Sequence, residues 1–392
     1  MSEIAERPEL LNPNVPEDRA RVDALRARED VDVVDTWDEL ALEMFRIELP
    51  HVGPGSPEYQ PTLDRYMSRR WRGAQPETIG IWAFLPWRRA LVHIPDRSDY
   101  RRLRTARNQF LIAPEEQVAF AEGRVAVAGL SVGLSVVTTL VLTGGAEHLR
   151  IADPDTLSLP NLNRLPGSIA DLGRSKAVIA ARRLYELNPY LDLVTYPGGL
   201  TEDRLDTFLA GAGPVDVFVE EMDDIRLKIV SRIRARSLGI PVLMATDNGD
   251  GVIVDVERFD EEPERPLFHG RVSESAMSAT PASLDWASRV RLANAIVGPG
   301  IVPRMQASLE LVGSALPMWP QLGTAATTSG PAIAYVARRI LAGEPMPSGR
   351  YVVSLEAALD PDHNSEQAVA ARDAHTADFV TGFQLIFGGD PK

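Results

Sequence analysis

Two hydrophobic periods alternate along the middle of this chain. Short, largely apolar runs read as strands: "RVAVAG" from Arg124, a buried-strand run, then "HLRIAD" from His148, "LDLVTYP" from Leu191, "VDVFVEE" from Val215 and "IPVLMAT" from Ile240. Between them, "SVVTTLVLTGG", "GRSKAVIAARRLYELNP" and "IRLKIVSRIRARSLG" repeat their apolar positions every three to four residues and stop at Gly144-Gly145, before Pro189 and at Gly239. Strand and helix in strict alternation predict an α/β fold, a Rossmann-like parallel sheet with helices on both faces.

The flanks carry other patterns. Residues 1–30 are acidic and proline-punctuated and read as a flexible segment. Residues 31–105 predict a small α+β module, with a helix at "TWDELALEMFRIEL" and a hairpin at "ETIGIWAFLPWRRALVHIPD" turning at Pro86 to Arg89. Trp71, Trp82 and Trp87 in this module could form a peptide-binding face, but aromatics at strand spacing more often pack into a core. The main domain spans 106–392. Past Gly251 it holds a strand, "VIVDVERF", a loop-rich stretch at about 260–320, and a helix, "GTAATTSGPAIAYVARRILAG".

Composition narrows the possible ligands. With 44% apolar and 24% charged residues the chain buries a substantial core, and a formal charge of -14 argues against nucleic acid as the main ligand. No apolar leader is visible at the N-terminus, so the expected location is the cytoplasm. Cysteine is absent, so thiol nucleophiles, disulfides and Cys-ligated zinc are excluded, and no pair of the six histidines has helical ligand spacing.

"VAVAGLSVGLSVVTTLVL", from Val125 to Leu142, admits three readings. Gly129-Leu130-Ser131-Val132-Gly133 matches a hydrolase nucleophile elbow, yet no histidine downstream sits in a recognisable loop and no oxyanion segment precedes Ser131. The uncharged run could span a membrane, but it lacks basic flanks and a second apolar segment. The third reading is a strand, a phosphate-binding turn and a helix, with Asp153 and Asp155 at the end of the next strand where a ribose-binding carboxylate falls. That reading leaves open a redox protein using NAD or FAD on the same turn, and a non-catalytic nucleotide-binding scaffold.

Further residues add weight to the nucleotide reading. "DPDTLSLPNLNRLPGSIADLGRSKA" from Asp153 and "VDVFVEEMDDIRLKIVSR" from Val215, behind the glycine turn, make the chain resemble the ThiF/MoeB superfamily, which includes the ubiquitin-activating enzymes. The resemblance implies ATP-dependent adenylation of a carboxylate. Carried onto this sequence, it implies nucleotide contacts from Gly129, Ser131, Gly133, Asp153, Asp155 and Asn161, with Asp153 on the ribose hydroxyls and Asn161 and Arg164 on the triphosphate. Lys176 would neutralise phosphate charge, and Asp223 would hold Mg²⁺. Arg107 would reach the nucleotide of a second subunit, which implies a homodimer.

Each residue also has a plainer role open to it. Asp153 and Asp155 suit a strand-end turn, Asn161 a loop, Arg164 a solvated surface, and Asp223 the cap of the following helix. Lys176 falls in the first turn of a helix, where the dipole disfavours a cation unless an anion answers it.

The sequence departs from the family pattern in the turn, where only Gly129 keeps register and the β-branched Val132 stands where backbone meets phosphate. Leu165 and Asp224 also replace the residues usual at those positions. Without cysteine no thioester step is open to the chain; the resemblance extends to members that adenylate a peptide carboxyl, carry an N-terminal peptide clamp and need no catalytic cysteine, and by analogy of architecture the small module before Arg107 would suit such a clamp. The expected partner is a peptide or small protein with a free carboxylate. His269 and Arg271, in the place of the family's crossover loop, read as loop residues rather than substrate contacts.

Overall fold

The computed structural model describes residues 7–71, 73–272 and 286–387, and the chain divides into two compact units. One comprises Ile4–Gln117 with Ala181–Leu191; the other comprises Val118–Ala180 with Asp192–Lys392.

The first unit contains β1 (Glu9–Leu11), α1 (Pro16–Arg26), β2 (Asp32–Val34), α2 (Trp37–Glu48), α3 (Tyr59–Trp71), β3 (Ile81–Leu85), β4 (Ala90–Ile94) and α4 (Arg97–Arg104). Its sheet runs β1-β3-β4-β2, with only the β2–β4 pair parallel. The segment expected to be flexible is corrected here, since it supplies β1 and α1. Leu11, Val22 and Leu25 bury themselves against Trp82, Phe84 and Leu91, and Pro16 opens α1 without losing a hydrogen bond. Two inward residues three apart are too narrow a stripe to announce a helix in sequence. The expected hairpin forms between β3 and β4. Its tryptophans pack: Trp82 is fully buried, Trp71 meets the edge of Trp37 at 6.0 Å, and Trp87 Nε1 donates to Glu186 at 2.8 Å.

A helix, α5 (Pro114–Glu122), leads into the second unit. There β5 (Arg124–Ala128), α6 (Gly133–Leu142), β6 (His148–Ala152), the start of α7 (Lys176–Leu187, which belongs to the first unit from Ala181 on) and β7 (Asp192–Tyr196) are followed by α8 (Leu205–Ala210), β8 (Val217–Glu220), α9 (Ile225–Ser237), β9 (Val242–Asn248) and β10 (Gly251–Glu257). The remaining described elements are α10 (Trp286–Val297), α11 (Pro303–Leu309), α12 (Gly323–Leu341), β11 (Gly349–Val353), α13 (Leu355–Leu359) and α14 (Glu366–Phe387). The seven-stranded sheet has the order β11-β10-β9-β8-β5-β6-β7; β5 to β9 are parallel, as their apolar runs predict, while β10 and β11 pair antiparallel. The stretch expected to be loop-rich contains α10 and α11; its residues 273–285 lie outside the described residues.

Two buried carboxylates of this unit are paired with cations. Glu220, fully buried, accepts from Lys228 at 2.9 Å and from Arg232, which also binds Glu257 at 2.8 Å. Burial opposes ionisation of Glu220, but the two cations outweigh it and hold the carboxyl below its ordinary range. Asp255 is treated alike by Arg350, His269 and Arg271, so His269 and Arg271 are structural ligands of a buried acid, in line with their reading as loop residues.

Candidate active site

The site begins with strand order. From β5 the chain moves one way to β6 and β7, then returns on the other side with β8 and β9. Ligands of open α/β sheets bind where the order reverses, outside the carboxyl ends of the strands. Here that point lies between β5 and β8.

Gly129 ends β5 with φ +90°, and a Cβ on it would meet the carbonyl oxygen of Glu221, past β8, at 2.3 Å. Only glycine satisfies both constraints. The turn then passes Ser131 to Val132, which adopts helical angles and caps α6, and Gly133 opens the helix close to Val127. Val132 therefore stands at the helix N-terminus, whose first amides have no partner within the helix.

Asp153, buried at the end of β6, clamps this turn. One carboxylate oxygen accepts from the Leu130 amide at 2.6 Å and the other from the Asp155 amide at 2.8 Å. Burial raises its pKa against the opposing pull of Lys176 and these amides. Lys176, also buried, opens α7 and donates to Asp155 at 2.8 Å and to Ser131 Oγ at 3.3 Å. Thus Ser131, Asp153, Asp155 and Lys176 come together, and the anion that answers Lys176 is Asp155.

Asn161 accepts from the amide and hydroxyl of Ser158, capping the short 3-10 turn Leu159–Asn163. Arg164 follows that turn and donates to Asn163 at 2.9 Å, while its buried Nε has no partner. Beyond β8 the two aspartates divide their work: Asp224 caps α9 by accepting from the Leu227 amide at 2.9 Å, which leaves Asp223 free of the capping role and exposed. Arg107 is exposed on the turn Ala106–Asn108 of the first unit.

A cavity of about 380 Å³ takes in part of this set; Asp153, Asp155, Asn161 and Lys176 are not among its lining residues. Ser131, Val132, Arg164 and Asp223 line it, together with four groups that sequence reading missed, Glu221, Lys228, Asp247 and Gln321. Burial pushes the Glu221 carboxyl well above its ordinary range, although its side chain accepts from the Ala245 amide at 2.7 Å. Asp247, only 4% exposed, accepts from Gln321 at 3.2 Å through one oxygen, while the other is buried without a partner. Burial pushes its pKa up to about 6. A usable signal was present: an acid follows each of β6, β8 and the body of β9, always at the carboxyl end.

The elbow reading loses its support in this geometry. Ser131 Oγ is bonded to Lys176, and among the described residues no histidine lines the cavity. Among the described residues, too, no helix is long and apolar enough to cross a membrane.

Comparison with known proteins follows the same lines. An uncharacterized protein of Mycobacterium tuberculosis (strain CDC 1551 / Oshkosh) is 42% identical over 281 residues, 71% of this chain and 38% of that protein. A sulfur carrier protein adenylyltransferase of Thermus thermophilus is 28% identical over 166 residues, 41% of this chain and 56% of that one. The chain thus spans between about two fifths and three fifths of the length of these relatives. A crystal structure of E. coli MccB with MccA-N7isoASN superposes with a TM-score of 0.47 at 13% identity, over 80% of this chain and 83% of that one. The ThiF family model matches residues 105–343, and the chain belongs to the ThiF family.

Proposed function

We propose that this chain is an ATP-dependent adenylyltransferase that activates the carboxylate of a peptide or small protein. The observation that carries this reading is the make-up of one cavity, where the N-terminal turn of α6, the unpartnered guanidinium Nε of Arg164 and the carboxylate of Asp223 share a single space. A helix N-terminus and a guanidinium are matched to phosphate oxygens. The relative from Thermus thermophilus, an adenylyltransferase for a sulfur carrier protein, supports a protein carboxylate as substrate.

In this reading Ser131 and the α6 amides receive phosphate oxygens, with Lys176 held behind them by Asp155. Gly129 and Gly133 keep the turn close to the nucleotide, and Asn161 and Arg164 attend the triphosphate. Asp153 and Asp155 face the ribose hydroxyls; each Asp153 oxygen holds one backbone amide, and a carboxylate oxygen has a second lone pair to offer. A single exposed carboxylate suits Mg²⁺, which takes one or two protein carboxylates and otherwise uses phosphate oxygens and water, so Asp223 would hold it. Bound there, the ion would neutralise phosphate charge.

The chemistry asks little beyond position and charge. A carboxylate oxygen of the substrate bonds to the α-phosphorus, the bond from that phosphorus to its bridging oxygen breaks, and pyrophosphate leaves. No proton moves in this step, which is why fixed cations and dipoles suffice. The chain has no cysteine to take the acyl group, so an amine, a sulfur of another molecule or an internal nucleophile would capture the acyl adenylate. Arg107 would act on the nucleotide of a second copy, in a homodimer.

ATP–pyrophosphate exchange driven by candidate peptides tests the proposal. Exchange in the wild type that disappears in Asp223→Ala supports it. Tight NAD or FAD binding with no response to ATP overturns it.

A further inference from the structure

A second cavity, of about 530 Å³, adjoins the first and shares with it Asp223, Ile225, Ala293, Met318 and Trp319. Its character differs. The walls that belong to it alone are mainly apolar, from Val290 on α10, Leu309 on α11, Val312, Pro317, and Phe379 and Phe383 on α14, with Arg289, Asn294 and Glu310 as its polar members. These walls are fixed by packing rather than by chance proximity. Gln306, fully buried in α11, donates to the carbonyls of Pro299 and Ile301 and to Thr376 Oγ1 of α14 at 3.1 Å, while Leu309 and Trp319 pack on the cluster of Ile253, Ile301 and Met305.

We propose that this cavity receives the carboxyl-terminal side chain of the substrate, and that the substrate is a peptide or protein ending in a large apolar residue. The inference rests on the adenylation reading. A carboxylate under activation must lie in the first cavity near Asp223, and in a peptide the terminal side chain branches from the carbon next to that carboxylate. The space next to the first cavity, with which it shares Asp223 and Ile225, is the apolar cavity.

Its size and lining select the occupant. A volume of 530 Å³ falls within the roughly 300–1,000 Å³ of ligand pockets, enough for one large side chain and part of the residue before it. A glycine end leaves that apolar wall uncovered, and a charged side chain would lose its hydration against a lining that is mainly apolar. Arg289, Asn294 and Glu310 offer hydrogen bonds to the amide groups of a peptide, which a simple acyl chain does not possess.

The experiment is exchange catalysed by the full chain with tripeptides that differ only in the last residue, leucine, phenylalanine, lysine or glycine, and with octanoate. The leucine and phenylalanine peptides should exceed the glycine peptide in kcat/KM by about 10-fold or more. Val290→Trp, at a position that lines only the second cavity, should erase that preference and leave the KM for ATP unchanged; Val312→Trp, on another segment, is the second variant should the first not fold. Equal rates across the panel, or octanoate above every peptide, overturn the proposal. Calorimetric titration with the same peptides separates the two readings. Binding of leucine but not glycine peptides without any exchange supports the cavity assignment and removes adenylation; exchange without preference does the reverse.

Discussion

Asp153, at the end of β6, and Leu130, in the turn after β5, are joined by a 2.6 Å hydrogen bond from the backbone amide to the carboxylate. The acid thereby fixes the turn before any ligand arrives, and its other oxygen fixes Asp155, the partner of Lys176. Asp153→Ala strands both amides, each at a cost of about 1–3 kcal/mol where it is shielded from water. The urea midpoint of Asp153→Ala should fall clearly, that of Asp153→Asn should fall less because one acceptor is kept, and the KM for ATP should rise in the same order. An unchanged midpoint in Asp153→Ala would show that the clamp does not hold the turn.

Neighbouring aspartates after β8 should separate stability from chemistry. Asp224→Ala removes the cap of α9 and should cost about 1 kcal/mol in unfolding free energy with exchange activity kept. Asp223→Ala touches an exposed side chain, so its midpoint should match the wild type while exchange is lost. Thermal melts and exchange rates of the two variants, measured together, check the assignment; reversed effects would exchange the roles.

Asp247 gives a pH signature. Burial raises its folded-state pKa to about 6, whereas an unfolded aspartate titrates near 4. Between those values the folded chain holds a proton that the unfolded chain has released, so stability falls as pH rises through the window and stays lower above it. About two pKa units amount to roughly 3 kcal/mol. Asp247→Asn should therefore unfold at higher urea than the wild type near pH 8 and at about the same urea near pH 3, where both side chains are neutral in the folded and the unfolded chain. An equal shift at both pH values would place the effect in packing instead of charge.

Much of this arrangement was legible in the chain, and the remainder fails for identifiable reasons. Strands β5, β6, β8 and β9 are largely buried on both faces, so their runs are nearly unbroken, but β7 and β11 lie at the sheet edges, and in β11 Val352 and Val353 are 60% and 40% exposed, so its five residues lack the same contrast. On α14 only Phe379 is classed as buried among residues with described side chains, so no stripe marked the helix. In the site, Lys176, Arg164 and Asp223 stand at motif spacing and could be read. Glu221 and Asp247 were harder to read: each stands at a strand's carboxyl end, but that both face one cavity depends on β8 lying between β5 and β9, a fact of sheet order. The apolar cavity is less legible still, since Val290, Val312 and Phe379 meet only in three dimensions.

Arg107 and Asp223 give the last prediction, which concerns assembly. If Arg107 serves the nucleotide of a second copy, Arg107→Ala and Asp223→Ala each damage a different half of a composite site. In a two-fold dimer containing one chain of each variant, one site carries both substitutions and the other carries neither. Mixing the two inactive proteins in equal amounts, with time for subunits to exchange, should then restore about a quarter of wild-type exchange, since half the dimers are mixed and one of their two sites is intact. Sedimentation of the mixture establishes whether dimers are present. Dimers without any recovery would place Arg107 in its own chain's site or outside the site altogether, and a monomer that catalyses exchange would remove the need for a second copy.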